Sequence, residues 1–418
     1  MENNLNEEEG ELVVSAPGKA ILHGEHAVVY GKRAIAASVD LRCYLRLREV
    51  AAPTVELNVR DLDIHAKWSL DEVRDLSSVC ESDASSRQSE ACDARLHDLS
   101  SRVGGDDSVK VLAAKTFLFL AGAICFKRSC TTGIDVQVTS SLPFASGLGS
   151  SASYSVCLAA AFLLRNGEIK PESLKRGKEG DHHEQLERLG LQSSSKYLAT
   201  SFSQDDLDLV RRWSFQGERI IHGTPSGIDN AVATFGGALE FCRAPGGDHI
   251  RTIESPPILT VLLTNTKVPR STKVLVAGVR SWLEEMPAVA KPIMDAVDGI
   301  SEQCCKYWDD LEGADVKEKE VIFSHLGRLV DANQSLLSVM GVSHPAIETV
   351  CQISAACGLH SKLTGAGGGG CVITFFTQED QENGKVADVK TKLESSGFDV
   401  YNTVLGGPGV ALHQLDNA

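Results

Sequence analysis

Along the chain, apolar and polar positions fall into blocks whose period points to the element each one builds. LVVSAP (12–17) and AIAASVDLRCYLRLR (34–48) are rich in apolar and β-branched residues, and the second block comes to alternate apolar with polar. Together they predict strands around a turn within residues 11–50. VLAAKTFLFLAGAICF (111–126) is a strongly apolar helix, and TGIDVQVTSSL (132–142) alternates as a strand does. ASYSVCLAAAFLL (152–164) is apolar on nearly every side, the mark of a helix buried all round. DLVRRWSFQGERIIHG (208–223) is amphipathic and predicts a helix, ILTVLLTNT (258–266) a strand. Helices dominate 272–355, and CVITFF (371–376) closes on a strand. No apolar run approaches the ~18 residues that a membrane span needs, and no internal repeat stands out.

Two polar stretches interrupt this pattern. Residues 80–107 are rich in Ser and Asp and predict a surface excursion rather than core. Residues 166–206 carry RGKEGDHHEQLERLG and QSSSKYLATSFSQDD, and read as a surface insertion, helical in part. GGDHIRTIESPP (246–257) is Gly- and Pro-bearing and precedes a new strand, which predicts a division into residues 1–254 and 255–418.

At 418 residues, two domains are the natural expectation. A net charge of −15 argues against a general nucleic-acid binder, although it leaves a small anionic substrate open. The 12 cysteines include no C-x-x-C pair, so buried or free thiols in a reducing compartment are expected. MENNLNEEEGE has neither a basic region nor an apolar core of the secretory kind, and HQLDNA is not S-K-L. A cytoplasmic location is the expectation, with a peroxisomal pool left open.

Three glycine-bearing loops hold the candidate chemistry. GAGGGG (365–370) satisfies G-x-G-x-x-G, but a strand follows it where a dinucleotide fold needs a helix. What survives is a loop between a preceding helix and a strand, either a plain turn or a set of amides near an anion. PFASGLGSS (143–151) is the better phosphate site, because a strand leads into it and an apolar helix begins near Ser150. Gly147 and Gly149 let the backbone wrap a phosphate, and the helix start offers unpaired N–H groups. Ser150 and Ser151 add hydroxyls for a phosphate or a metal. A serine cap on a core helix is the plainer alternative. It is not a Walker A loop, since no Lys sits beside the serines. In SAPGKAILHGEHAVVYG (15–31), Lys19 follows a Pro-Gly turn. H-x-E at 23–25 lacks the P-C-x-x-C that zinc deaminases require.

In this order the three loops resemble those of the GHMP kinases. The longer blocks SAPGKAILHGEHAVVYGK, GLGSSASYSVCLAAA, FQGERIIHGTPSGIDNAV, LLTNTKVPRST and HSKLTGAGGGGC are most similar to its mevalonate-phosphorylating members. Ser153 stands where Ala is usual, a change of small for small. The resemblance implies an α+β fold with an N-terminal domain like ribosomal protein S5 domain 2 and a C-terminal ferredoxin-like domain, the site lying between them. It implies ATP-dependent phosphorylation of the 5-hydroxyl of (R)-mevalonate. Asp229 is then the catalytic base, a carboxylate whose plainer reading is the N-cap of a helix starting at Asn230. Lys19 pairs with it and with the γ-phosphate. ATP phosphates lie on Ala145, Ser146, Gly147, Leu148, Gly149, Ser150 and Ser151, with Ser140 nearby. Ser151 and Glu218 hold Mg²⁺, and Glu25, His26 and Thr272 contact the acceptor. A homodimer and inhibition by isoprenoid diphosphates also follow from the resemblance. The alternatives are a galactose or phosphomevalonate acceptor, or a silent ligand-sensing relative. HGEHAVVYG together with NTKVPRST favours mevalonate.

Overall fold

The computed structural model describes residues 11–79, 90–105, 107–126, 131–143, 146–174, 188–189, 197–223, 225–244, 247–253 and 259–415. β1 (Glu11–His23) and β2 (Arg33–Val50) form a long antiparallel pair whose connection, residues 24–32, carries a short 3-10 helix at Ala27–Tyr30. β3 (Thr54–Val59), β4 (Ile64–Ser69), α1 (Leu70–Val79), α2 (Glu90–Gly104), α3 (Ser108–Leu120) and β5 (Gly133–Ser140) follow. Next come α4 (Ser150–Arg165), β6 (Pro171–Leu174), β7 (Tyr197–Phe202), α5 (Gln204–His222), α6 (Ile228–Phe235), β8 (Ala238–Ala244) and β9 (Gly247–Thr252). The second half holds β10 (Leu259–Asn265), α7 (Thr272–Glu285), α8 (Pro287–Leu311), α9 (Val316–Val339), α10 (Pro345–Ala355), β11 (His360–Leu363), β12 (Cys371–Phe375), α11 (Gln378–Glu382), α12 (Lys385–Ser395), β13 (Asp399–Leu405) and β14 (Ala411–Leu415).

The strands join into one continuous mixed sheet. β11, β12, β10 and β13 are antiparallel neighbours, and β13 meets β2 at the single pair Leu405–Val39. Beyond β2 the order continues β1, β14, β7, β6, while β5 and β8 also pair with β2. α4 is the central element of the N-terminal half: every residue from Ala152 to Leu163 is buried, as its all-round apolar pattern requires. Its Phe162 packs edge-on to Phe117 of α3, which stacks on Trp68. Burying one such phenyl ring contributes about 1.5–3 kcal/mol.

Several expectations need correction. The polar stretch 80–107 is not wholly a surface excursion, because α2 buries Cys92, Leu96 and Leu99 in the main core; three apolar residues at helical spacing suffice to anchor an otherwise polar helix. The described parts of 166–206 include two strands, β6 and β7, which pair at the sheet edge. Residues 247–252 form a hairpin strand with β8 rather than a linker. The expected boundary at 254/255 falls outside the described residues. A division there does not match the strand pairing in any case: β14 leaves the C-terminal half and pairs with β1 and β7. Arg42 holds that return, donating from Nη2 to the carbonyl of Gly409 (2.6 Å) and from Nη1 to that of Pro408 (3.0 Å). Ser108–Cys125 does have the length and hydropathy to cross a membrane, contrary to the reading above, and two thirds of it is buried within the core. Among the described residues, nine cysteines form no disulfide, whereas Cys92 is disulfide-bonded.

Candidate active site

The loop before α4 and the bulged start of β1 meet face to face. The β1–β2 register shifts between Pro17 and Gly18, where proline cannot donate to the ladder. The bulge places Lys19 against the loop, and its backbone N–H donates to the carbonyl of Leu148 at 2.8 Å. Leu148 is itself buried in the core and pins the loop from below. Gly149 is the N-cap of α4, with φ +73° and no side-chain cap, so the first-turn amides of the helix stay open. A serine cap is therefore not what this loop is for. Ser146 turns its hydroxyl back onto the Pro143 carbonyl (2.7 Å), leaving only its backbone for a ligand. Ser140 ends β5, where its hydroxyl accepts from the Leu142 N–H. Ala145 lies outside the described residues.

Lys19 Nζ lies 3.3 Å from Asp229 Oδ1. Asp229 stands in the first turn of α6, whose N-cap is Gly227, so it is not the cap of a helix starting at Asn230. Both groups crowd Gly149: a Cβ there would sit 3.1 Å from Lys19 Cγ and 3.5 Å from Asp229 Oδ2. An ammonium, a carboxylate and an open helix N-terminus thus converge on one point. At such a point an anion is held by amides and charge together.

Glu218 of α5 completes one side. It is 2% exposed; Ser151 Oγ donates to its Oε2 at 3.2 Å, and its Oε1 has no partner. Burial, reinforced by the nearby Asp229 carboxylate, pushes its pKa up to about 8. His222, one turn on, hydrogen-bonds the same Ser151 hydroxyl through Nε2 at 3.1 Å. Its helical spacing from Glu218 was the available signal for it.

The opposite wall comes from the C-terminal half. Arg270 threads between two glycine loops, donating from Nη2 to the Ser146 carbonyl (3.1 Å). Gly147, Gly365 and Gly370 all face its guanidinium so closely that a Cβ on any of them would fall within 3.2 Å of it. GAGGGG joins two strands, β11 and β12, rather than a helix and a strand, and its glycines serve this close packing. Thr272 is exposed at the start of α7, two residues beyond Arg270. His26, with the left-handed φ of +59°, hydrogen-bonds the Ala366 carbonyl through Nε2 at 2.8 Å. Glu25 does not face the cleft. Glu25 and Lys362 are both 0% exposed; Oε1 is ion-paired to Lys362 Nζ and Oε2 accepts from Asn333 (3.1 Å), so neither oxygen is free for an acceptor in this structure. Arg270 and Lys362 lie inside the quoted blocks LLTNTKVPRST and HSKLTGAGGGGC but were not singled out there, and Asn333 carried no local motif.

The GHMP kinases N terminal domain matches residues 112–194 and the GHMP kinases C terminal matches residues 322–394. The chain is 42% identical to mevalonate kinase of Bos taurus, covering 96% of this chain and 95% of that one. It is 36% identical to mevalonate kinase of Dictyostelium discoideum, over 98% and 99% of the two chains. Among solved structures, L. major mevalonate kinase in complex with R-mevalonate superposes with a TM-score of 0.63 at 22% identity, over 94% of this chain and 96% of that one. Lactococcus lactis galactokinase does so with 0.59 at 16% identity, over 96% and 95%. At those identities the two structures establish the shared fold, while the curated relatives carry the closer kinship. The chain belongs to the mevalonate kinase family, within the GHMP kinases.

Proposed function

We propose that this protein transfers the γ-phosphoryl group of ATP to the 5-hydroxyl of (R)-mevalonate, giving 5-phosphomevalonate and ADP. The observation that carries the reading is the meeting of Lys19 and Asp229 at the uncapped start of α4. Phosphoryl transfer is mostly positioning and charge stabilisation. Open amides from Gly149 onward receive phosphate oxygens, Lys19 offsets the charge that develops on the transferred group, and Asp229 accepts the hydroxyl proton. A metaphosphate-like transition state needs little proton transfer before attack, and Lys19 lowers the effective pKa of that hydroxyl.

Mg²⁺ fits the other side of the cleft. Glu218 Oε1 is a buried oxygen lacking a partner, and Ser151 Oγ adjoins the same carboxylate; both are hard donors. Among the described residues no three His, Cys, Asp or Glu side chains cluster to hold a metal by themselves, so nucleotide phosphates would supply further oxygens. Held there, Mg²⁺ would neutralise phosphate charge. Arg270, His26 and Thr272 border the acceptor side, with Arg270 the cation for a carboxylate. A homodimer, competition by isoprenoid diphosphates at the nucleotide site and a cytoplasmic location belong to the same reading.

A coupled ADP-release assay with (R)-mevalonate, galactose and phosphomevalonate tests it. Turnover with mevalonate alone is expected. Comparable kcat/KM on another acceptor, or no turnover with any, overturns the assignment.

A further inference from the structure

A cavity of about 590 Å³ lies in the C-terminal half, between the α8–α9 hairpin and the β10–β12–β11 face of the sheet. None of the residues assigned above to phosphoryl transfer lines it. It opens to solvent on one side, where Val316 is exposed at its rim. A cavity of this size falls within the ~300–1,000 Å³ typical of small-molecule sites.

The walls are mainly apolar and aromatic, with Leu22, Trp308, Phe323 and Phe375 among them. One buried polar group stands out. His23, at the end of β1, lines the cavity; it is 2% exposed and its Nδ1 has no hydrogen-bond partner. Leaving such a group unpaired is costly, and a bound hydroxyl or carbonyl would satisfy it. Burial, together with the charge of Lys362, holds the imidazole well below its usual pKa and therefore neutral. A neutral ring donates at one nitrogen and accepts at the other.

The charged lining argues against an anionic occupant. Glu320, Glu379 and Asp380 stand against Lys319 and His360; Lys385 pairs with Asp380 at 2.6 Å, and His360 with Asp331 at 2.8 Å. A phosphate or carboxylate would find no excess of positive charge, since each basic lining group has acidic neighbours.

We propose that this cavity is a second binding site, one that takes a neutral, largely apolar small molecule carrying a single hydroxyl or carbonyl group. The aromatic walls bury its body and His23 receives its polar tip. The site stands apart from the nucleotide and acceptor positions and does not depend on how those are assigned.

Nile red, a neutral apolar dye, tests this on the full chain held in saturating Mg-ATP and mevalonate. Saturable binding to one site per chain is expected, with energy transfer from tryptophan that falls in Trp308→Phe. Ser324 is an exposed residue of α9 at the cavity lining, so Ser324→Trp narrows the cavity without disturbing buried packing. That variant should weaken dye binding at least about tenfold, roughly 1.4 kcal/mol, while kcat with mevalonate stays as in the wild type. Decan-1-ol should displace the dye and decanoate should not. Unchanged dye affinity in Ser324→Trp, displacement by Mg-ATP, or equal displacement by alcohol and carboxylate would each overturn the proposal.

Discussion

Glu218 is a carboxyl group whose surroundings favour a proton until a cation arrives. Its folded pKa of about 8 lies above that of an unfolded glutamate. From about pH 4.5 to 8, then, the unfolded chain releases a proton that the native state keeps, and this residue's contribution to stability falls as pH rises. Glu218→Gln removes that dependence. Thermal melts without metal should show the variant gaining on the wild type between pH 5 and 8, and a gap that does not widen would rule out the buried, protonated carboxyl. The same variant should need more Mg²⁺ for half-maximal activity; an unchanged Mg²⁺ titration would remove Glu218 from the metal site. Asp229→Ala should lower kcat by about 10²–10⁴-fold with KM for ATP little altered. A rate within tenfold of wild type would take the base role away from Asp229. At this scale the sequence was readable where a residue sat inside a distinctive block, as Lys19, Glu218 and Asp229 do. Glu25, given an acceptor contact by the resemblance, has its carboxylate buried against Lys362 in this structure. No local pattern announces a partner 337 residues away.

Among the elements, α4 combines two features that were legible separately: an apolar run too uniform for a surface helix, and glycines immediately before it. What the sequence could not supply was the crowding at Gly149. Alanine there faces a positive φ as well as contact with Lys19 Cγ at 3.1 Å. Gly149→Ala should cost about 1 kcal/mol in chemical denaturation and lower kcat by displacing Lys19. Wild-type stability together with wild-type kcat would show that the loop does not constrain Lys19. The GAGGGG loop was misassigned for a related reason. Its glycines accommodate the guanidinium of Arg270, and a residue about 95 positions upstream leaves no periodic trace in the loop it packs against. β6, β7 and β9 were missed because edge and hairpin strands with mixed polarity lack a continuous apolar period.

For the molecule as a whole, the two halves are joined through buried polar contacts as well as through the sheet. Glu25 of the first half and Lys362 of the second are ion-paired with no solvent access, and Asn333 satisfies the remaining carboxylate oxygen. Breaking one side leaves an uncompensated charge, so Lys362→Met should destabilise by about 3–5 kcal/mol. The double variant Glu25→Met with Lys362→Met should recover most of that loss, because an apolar pair of similar volume carries no desolvation penalty. Denaturant titrations of the three variants decide it, and a double variant as unstable as the single one would mean that the pair itself supplies the stability. The mixed α+β character was legible from the block order, but the route of the last strand was not.

That route bears on how the protein is made. A ribosome delivers β1 first and β14 last, about 400 residues apart, yet the two are neighbours in the finished sheet. Until residues 411–415 emerge, one edge of β1 and the groups that Arg42 later clasps have no permanent partners, so the nascent chain carries an open strand edge through nearly all of translation. Emergence of residues 411–415, rather than completion of the N-terminal half, is when the sheet can close, and chains truncated before residue 411 should depend on chaperones or aggregate.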